Sequence, residues 1–586
     1  MKRPMLLTPS DDLPEGEEWM YEPKYDGFRA LLECTSEGIR LISRNGKDLT
    51  DKFPEISEAA PPPDTTPFVL DGEIVILNTA FQANFDLLQK RGRLRNTENI
   101  RKAAAERPAL FAAFDFVQEQ IPLEKRKQRL AELLAKWEHP GIKMVAVYQH
   151  VDKLKDIIHL HFGEGIIAKR STSTYQFGEK TRHWVKWKQW KTASVFLTHF
   201  DPDNGYVDTA VYNEGQIRKA GRFKHGLPRE EAATLRHFFK EKGKKEKNKW
   251  TLPPSVCADI HCLEAENEEF REPMFHRFRF DHTPEQCTSR KMTWDLSLFP
   301  DRFEPTSLEK ELFPGVTKRD YLLYTRHIAP YMLPYMKEKK LTVIRFPDGI
   351  HNESFFQKHR PDYAPNALKL WMEKGESYMI CEELQGLLWL ANQGAIEFHL
   401  PFEKAGGVHP DEIILDLDPP EKDAFPLCLT AALLCRKWLD ELGMISFIKL
   451  SGSKGMQLHL PFQEGDLTYE ETRVITETLA RLLVETKPDL FTVERFKSKR
   501  KDRLYIDYVQ HGEGKTIIAP YSVRAKDGAP IAAPLYWEEV QDELNPRSYT
   551  VENMMERLQK RGDPFQDYEK ARALQPMDQI QALLDY

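Results

Sequence analysis

Glu22-Pro23-Lys24-Tyr25-Asp26-Gly27-Phe28-Arg29 is the stretch from which the N-terminal half is read. A lysine ammonium becomes a nucleophile only when it is discharged or assisted, and a nearby carboxylate, metal or cation can arrange that. Alone, K-x-D-G-x-R is short enough to arise in a surface turn. Its company makes it specific. Ser43-Arg44-Asn45-Gly46 follows a predicted hairpin, LLECTSEGIRLISR. Asp71-Gly72-Glu73 then falls in PFVLDGEIVIL, read as a strand turned at Asp71-Gly72. Phe111-Ala112-Ala113-Phe114-Asp115 comes next, and Glu164-Gly165-Ile166-Ile167-Ala168-Lys169 precedes Trp184-Val185-Lys186-Trp187-Lys188. Lys186 and Lys188 stand two apart on a predicted strand and share one face.

A second constellation lies far downstream. Asp411-Glu412-Ile413-Ile414-Leu415-Asp416-Leu417-Asp418-Pro419 reads as a buried strand ending at a proline. Period two puts Asp416 and Asp418 on one face, where two carboxylates repel unless a metal neutralises them; nucleotidyl transfer uses such paired divalent ions. D-x-D alone is a weak signal. Ser451-Gly452-Ser453-Lys454-Gly455 between strands offers backbone N–H groups and a lysine to a triphosphate. Arg503-Leu504-Tyr505-Ile506-Asp507-Tyr508 brings a third carboxylate, and Tyr521-Ser522-Val523-Arg524 a guanidinium suited to phosphate. After Gly455 the alternation places Met456, Leu458 and Leu460 on the core face. Gln457 and His459 share the other, predicted to look at a nucleotide, with His459 either supplying a donor there or merely capping the strand or packing beneath the loop.

Between and around these motifs the chain of 586 residues is too long for one core. Hydrophobic content of 41% excludes wholesale disorder. No apolar run is long enough to span a bilayer, and the first residues do not form a secretory signal, so a cytoplasmic protein is expected. Seven scattered cysteines argue against a disulfide framework. Cys257, His261, Cys262, His276 and Cys287 raise a zinc question, but Cys257 and Cys262 fall on opposite faces of a predicted strand and no C-x-x-C occurs, which favours ordinary strand residues. The net charge of -7 conceals basic clusters at Lys125–Arg129, Lys186–Lys191 and Lys497–Arg503, local surfaces suited to phosphate. Lys240–Lys249, interleaved with glutamates, reads as a solvated face. Short strands around one helix, PREEAATLRHFFKEK, predict a small barrel of the oligonucleotide-binding type. The expected domains are 1–190, mixed strand-like runs and helical stretches; 191–282, the barrel; 283–312, a linker without periodicity; and 313–586, a domain of alternating strands and helices. The fold class is α+β and multidomain.

The first constellation resembles the nucleotidyltransferase motifs of ATP-dependent DNA ligases, with an ATP-grasp-like core, over essentially all of residues 1–280. The resemblance implies that Lys24 is adenylated by ATP, that Glu22 reads the adenine amino group and that Phe114 stacks on the base. Arg29 and Arg44 are implied to handle ribose and the 5'-phosphate of a nick. Glu73 and Glu164 are implied to serve the ribose or a divalent metal, and Lys186 and Lys188 the transferring phosphoryl group. The family's closing motif matches Arg271-Glu272-Pro273-Met274-Phe275 through Arg279-Phe280-Asp281, with His282 where a lysine is usual. From Phe313 onward the chain resembles the archaeo-eukaryotic primase-type polymerase domain of bacterial LigD proteins. Thr317-Lys318-Arg319-Asp320, Arg345-Phe346-Pro347-Asp348-Gly349 and Phe355-Phe356-Gln357-Lys358-His359 match as well. By that likeness Asp416, Asp418 and Asp507 bind Mg2+ or Mn2+, and Ser451, Ser453, Lys454 and Arg524 contact an incoming NTP or dNTP. Gln457 stands where the family carries histidine, and His459 is the nearby alternative. The order, ligase then polymerase, implies a LigD-type enzyme of non-homologous end joining that acts on double-stranded DNA ends, nicks and gaps in the bacterial nucleoid, with a Ku homodimer as partner. A primase fused to a replicative or plasmid-type nick ligase is the alternative.

Overall fold

The computed structural model describes residues 3–62, 67–266 and 269–584, apart from the side chains of residues 266, 497, 582 and 583. The chain forms two compact units, one ending at Phe299 and the other beginning at Pro300.

In the first unit, strands Gly38–Ser43, Phe28–Thr35, Phe68–Val75, Leu110–Phe116 and Ile142–Met144 form one sheet in that order. Strands Leu6–Pro9, Lys180–Lys188, Gly165–Arg170 and Trp19–Lys24 form another. The sheets face each other: Val75, Ala112 and Phe114 from the first share a buried cluster with Trp184 from the second and with Met5 just ahead of its first strand. The outer face of the five-stranded sheet packs Leu32, Leu70 and Phe111 against Leu130 of the helix Leu123–Trp137. The expected turn at Asp71-Gly72 is absent. Phe68–Val75 runs on as one strand, and the register shift opposite Asp71 and Gly72 leaves Phe114 of Leu110–Phe116 as the extra residue of a bulge.

The barrel pairs Lys191–Phe200 with Val207–Asn213, Lys249–Thr251 and Cys257–Cys262, and the last of these with Met274–Phe278. Its helix, Arg229–Lys242, inserts Leu235 and Phe239 into a core with Phe196, Phe223 and Ile260. The linker expected over 283–312 is corrected. Ser289–Leu296 is helical, capped by the Thr288 side chain accepting from Lys291 N–H at 3.1 Å, and Cys287, Met292 and Leu296 pack into the barrel core. Two turns carry too few apolar positions for a visible period. Beyond Pro300, Thr306 N–H donates to Asn392 Oδ1 at 3.1 Å and Glu311–Phe313 pairs with Val316–Thr317, so those residues belong to the second unit.

The second unit holds a six-stranded sheet ordered Phe491–Thr492, Leu504–Asp507, Glu412–Asp418, Met456–Pro461, Phe447–Leu450, Pro534–Leu535. Helices Pro426–Glu441 and Tyr469–Thr486 cover one face, where Ile413, Leu415 and Leu417 meet Met456, Leu458, Leu504 and Ile506. Alternation then sends Glu412, Asp416, Asp418, Gln457, His459 and Asp507 to the opposite face. There Ile414 packs with Phe402 and Ile517, next to a second sheet that includes Ala395–Pro401 and Thr516–Ile518. Among the described residues, no helix is long and apolar enough to cross a membrane.

Candidate active sites

Lys24 ends the strand Trp19–Lys24, and antiparallel pairing sets it opposite Gly165. Its Nζ donates to Glu164 Oε2, while Lys188 Nζ lies 3.8 Å from Glu164 Oε1. Gly27, just beyond, is required by space: a Cβ there would meet Ile74 O at 2.3 Å. A pocket behind Lys24 is lined by Glu22, Arg29, Glu73, Phe114, Lys169 and Trp184, among others. Burial works against a charged Glu22, but Lys127 and Lys169 hold its carboxyl below the usual range. The Glu22–Lys169 pair is 2.7 Å. Lys169 Nζ sits 4.2 Å from the centre of the Phe114 ring, and burial pushes its ammonium down to about 8. Burial pushes the Glu73 carboxyl up to about 8, against the pull of Lys24 and Arg29.

Arg29 is gripped by Asp71 at 2.7 and 3.1 Å, and Asp71 also accepts from the Tyr175 hydroxyl at 2.7 Å. Arg44 is brought close by its N–H bond to Arg29 O, yet its side chain faces an adjoining basic cup with Lys47 and Arg93. The closing motif divides. Arg271 forms a two-pronged ion pair with Asp26 and Glu272 pairs with Lys188, so both reach the Lys24 neighbourhood. Arg279, Asp281 and His282 instead bond to one another, with Arg279 3.1 Å from Asp259 on the barrel.

In the second unit, Asp416 lies across from Asp507 and from Gln457 in the two neighbouring strands. Burial and the adjacent Asp418 and Asp507 push the Asp416 carboxyl up to about 6. Gln457 Nε2 donates to Asp416 Oδ1 at 3.1 Å and its oxygen accepts from buried Lys449, whose ammonium burial pushes down to about 7. Asp418 pairs with Lys454 at 3.0 Å, and Asp507 accepts from the Tyr505 hydroxyl and from Gln510 N–H. As they stand, no three histidine, cysteine, aspartate or glutamate groups among the described residues converge tightly enough to hold an ion. Ser451 Oγ accepts from Ser453 and Gly455 N–H and so shapes the turn, leaving Ser453 half-buried beside it. A Cβ on Gly455 would meet Leu417 O at 2.1 Å, which fixes this turn against the acidic strand. Arg524 Nε donates to Glu397 Oε1 at 3.0 Å.

His459 is not brought to this cluster. It shares a face with Gln457, but lies across from Ile414 and bonds Glu412 Oε2 and the Tyr568 hydroxyl at 3.2 Å, buried beside Phe565. The face expected to look at a nucleotide is covered at that point, because Tyr568 and Phe565 from the C-terminal segment close over it. The cluster Lys125–Arg129 is corrected too. Arg126 is buried on Asp115 and Lys127 on Glu22, so these two charges serve the interior. Sequence reasoning also left Lys169, Asp71, Lys449, Glu397 and Arg500 unassigned. Lys169 closed a run already singled out, and Arg500, 3.9 Å from Asp418, lay within a noted basic cluster. Lys449 and Glu397 had no signal, since each sits in an ordinary apolar strand.

The family described as "ATP dependent DNA ligase domain" matches residues 4–188, and that described as "LigD, primase-polymerase domain" matches residues 317–565. The chain is similar to the bifunctional non-homologous end joining protein LigD of Bacillus subtilis, 38% identical over 98% of each chain. It is also similar to the multifunctional non-homologous end joining protein LigD of Pseudomonas aeruginosa, 25% identical over 96% of this chain and 72% of that one. Among solved structures, the polymerase domain of Mycobacterium tuberculosis Ligase D in complex with DNA is 30% identical over 47% of this chain and 100% of that one, with a TM-score of 0.43.

Proposed function

The chain belongs to the LigD family, an ATP-dependent DNA ligase and a primase-polymerase of non-homologous end joining in one polypeptide, and from that premise we propose how its residues divide the two reactions. In ligation, Lys24 Nζ attacks the α-phosphorus of ATP, the bond to the bridging oxygen breaks and pyrophosphate leaves. Glu164, already bonded to Nζ, is the nearest acceptor for the departing proton. Glu22, held by Lys127 and Lys169, presents an oxygen to the adenine amino group, and Phe114 supplies the stacking face. Arg29 and Arg44 take the ribose and the nick 5'-phosphate. Lys186 and Lys188 meet the charge that spreads over the phosphoryl oxygens.

In nucleotide addition, Ser451, Ser453, Lys454, Gln457 and Arg524 surround the incoming NTP or dNTP. Magnesium or manganese would draw these carboxylates together: Asp416, Asp418 and Asp507 share one face and their repulsion is what a divalent cation relieves, with Glu73 and Glu164 the corresponding pair in the ligase. Bound there, such ions would neutralise phosphate and activate the attacking oxygen. Gln457 holds Asp416 in place through its amide. The DNA substrates are ends, nicks and gaps in the nucleoid, and a Ku homodimer is the proposed partner, to be tested by joining gapped ends with and without Ku.

What supports this division most is that Lys24 with Glu164 and the aspartate trio fall in different units with no residue in common. Lys24→Ala should abolish covalent labelling by radioactive ATP while gap filling continues. Asp416→Ala should do the reverse, slowing nucleotide addition by about 10³-fold or more, since several kcal/mol of metal-borne stabilisation go with the ligand. Labelled AMP on the Lys24→Ala protein, or wild-type gap filling by Asp416→Ala, would sink the respective assignment.

A further inference from the structure

Tyr521 stands three residues ahead of Arg524, and its backbone has a φ of 69°. That left-handed conformation is unfavourable for a bulky L-residue and is ordinarily left to glycine. Three hydrogen bonds hold it. Its N–H donates to Ala532 O at 2.8 Å, its carbonyl accepts from the Tyr324 hydroxyl at 2.8 Å, and its own hydroxyl donates to the Asp563 carboxylate. The side chain is fully buried and packs near Tyr331. Asp563 is itself fixed, accepting from Phe565 N–H at 2.8 Å in the loop between helices Met554–Arg561 and Tyr568–Arg572.

The consequences run downstream along the chain. Ser522 Oγ accepts from Phe398 N–H at 3.0 Å, and Arg524 N–H donates to Pro530 O at 2.7 Å. Glu397 Oε1 then receives both Arg524 Nε and Ala525 N–H at 3.0 Å. The stem of Arg524 lies against the Ser-Gly-Ser-Lys-Gly turn, since a Cβ on Gly452 would meet Arg524 Cγ at 2.7 Å. A glycine at 521 would relieve the backbone but could not reach Asp563. The retained strain therefore marks a tether whose use is elsewhere.

We propose that Tyr521 is a positioning residue for nucleotide addition: its hydroxyl, anchored on Asp563 of the C-terminal segment, holds the strained turn that presents Arg524 to the nucleotide beside the Ser451–Gly455 turn. The inference rests on the reading that Arg524 contacts the incoming nucleotide. The test is steady-state nucleotide addition by the full chain carrying Tyr521→Phe, Asp563→Ala, both together, or Arg524→Ala, with thermal unfolding of the second unit in the same preparations as a control on folding. Tyr521→Phe should raise the nucleotide KM about fivefold, the worth of one ordinary hydrogen bond, and Asp563→Ala at least as much, with kcat little changed. The double variant should be no worse than the poorer single, because both cut the same bond. Wild-type KM in the two single variants, or additive losses in the double, overturns the proposal provided that Arg524→Ala raises KM. A wild-type KM in Arg524→Ala overturns the reading of Arg524 itself, and the proposal with it.

Discussion

Glu73 is surrounded by Lys24, Arg29 and Glu164, and burial still pushes its carboxyl up to about 8. Its folded pKa thus exceeds the unfolded one, so the native state binds the proton more tightly. The stability it contributes is present in full below about pH 4.3, the unfolded value, and is lost as pH rises through 8. Glu73→Gln carries no titrating group and should flatten the decline of Tm between about pH 6 and 8 expected of the parent, an effect on the order of 2 kcal/mol. Thermal unfolding across that range checks it, and parallel declines would refute the assignment. His459 is the contrasting case. Burial pushes its imidazole down against the pull of Glu412, and its Nδ1 meets Glu412 and Tyr568 away from the aspartates. His459→Ala should leave the nucleotide KM at wild type and lower stability by about 1–3 kcal/mol, through a buried carboxylate left short of a donor. A raised KM with unchanged Tm would return the histidine to the nucleotide site. Strand alternation correctly paired Gln457 with His459 on one face. It could not say that the first looks at Asp416 while the second is roofed by Phe565 and Tyr568.

The acidic strand Glu412–Asp418 was readable because one of its faces is wholly apolar: Ile413, Leu415 and Leu417 point into a helix-covered core, which leaves the aspartates one direction only. The helix Leu123–Trp137 is legible from apolar spacing over four turns, although Arg126 and Lys127 are buried with Leu123 and Leu130. Ser289–Leu296 is not, since only Met292 and Leu296 of it pack on the barrel core, amid charged neighbours. A ligase fragment ending at residue 282 should therefore unfold well below one ending at 299, by about 2–4 kcal/mol for the apolar side chains withdrawn from the barrel core. Equal midpoints in thermal unfolding would show that the helix adds nothing to the barrel.

At the scale of the molecule, the two units have separate cores and separate constellations, so the chain cut between Phe299 and Pro300 should yield two soluble fragments, one adenylating and sealing, the other extending ends. Joint loss of both activities on cutting would show that each half depends on the other. The sequence by itself determined the two chemistries and their order, because nucleophile, carboxylate pair and phosphate-binding turn are local patterns whose spacing along a strand survives without the fold. Only the tertiary structure decided which charges are interior. Lys127 and Lys169 converge on Glu22, Asp71 grips Arg29, and Asp563 reaches Tyr521 from a distant segment. The reason is physical: a buried charge needs a partner, and partners brought together by sheet register and loop closure lie tens to hundreds of residues apart, where no local period records them.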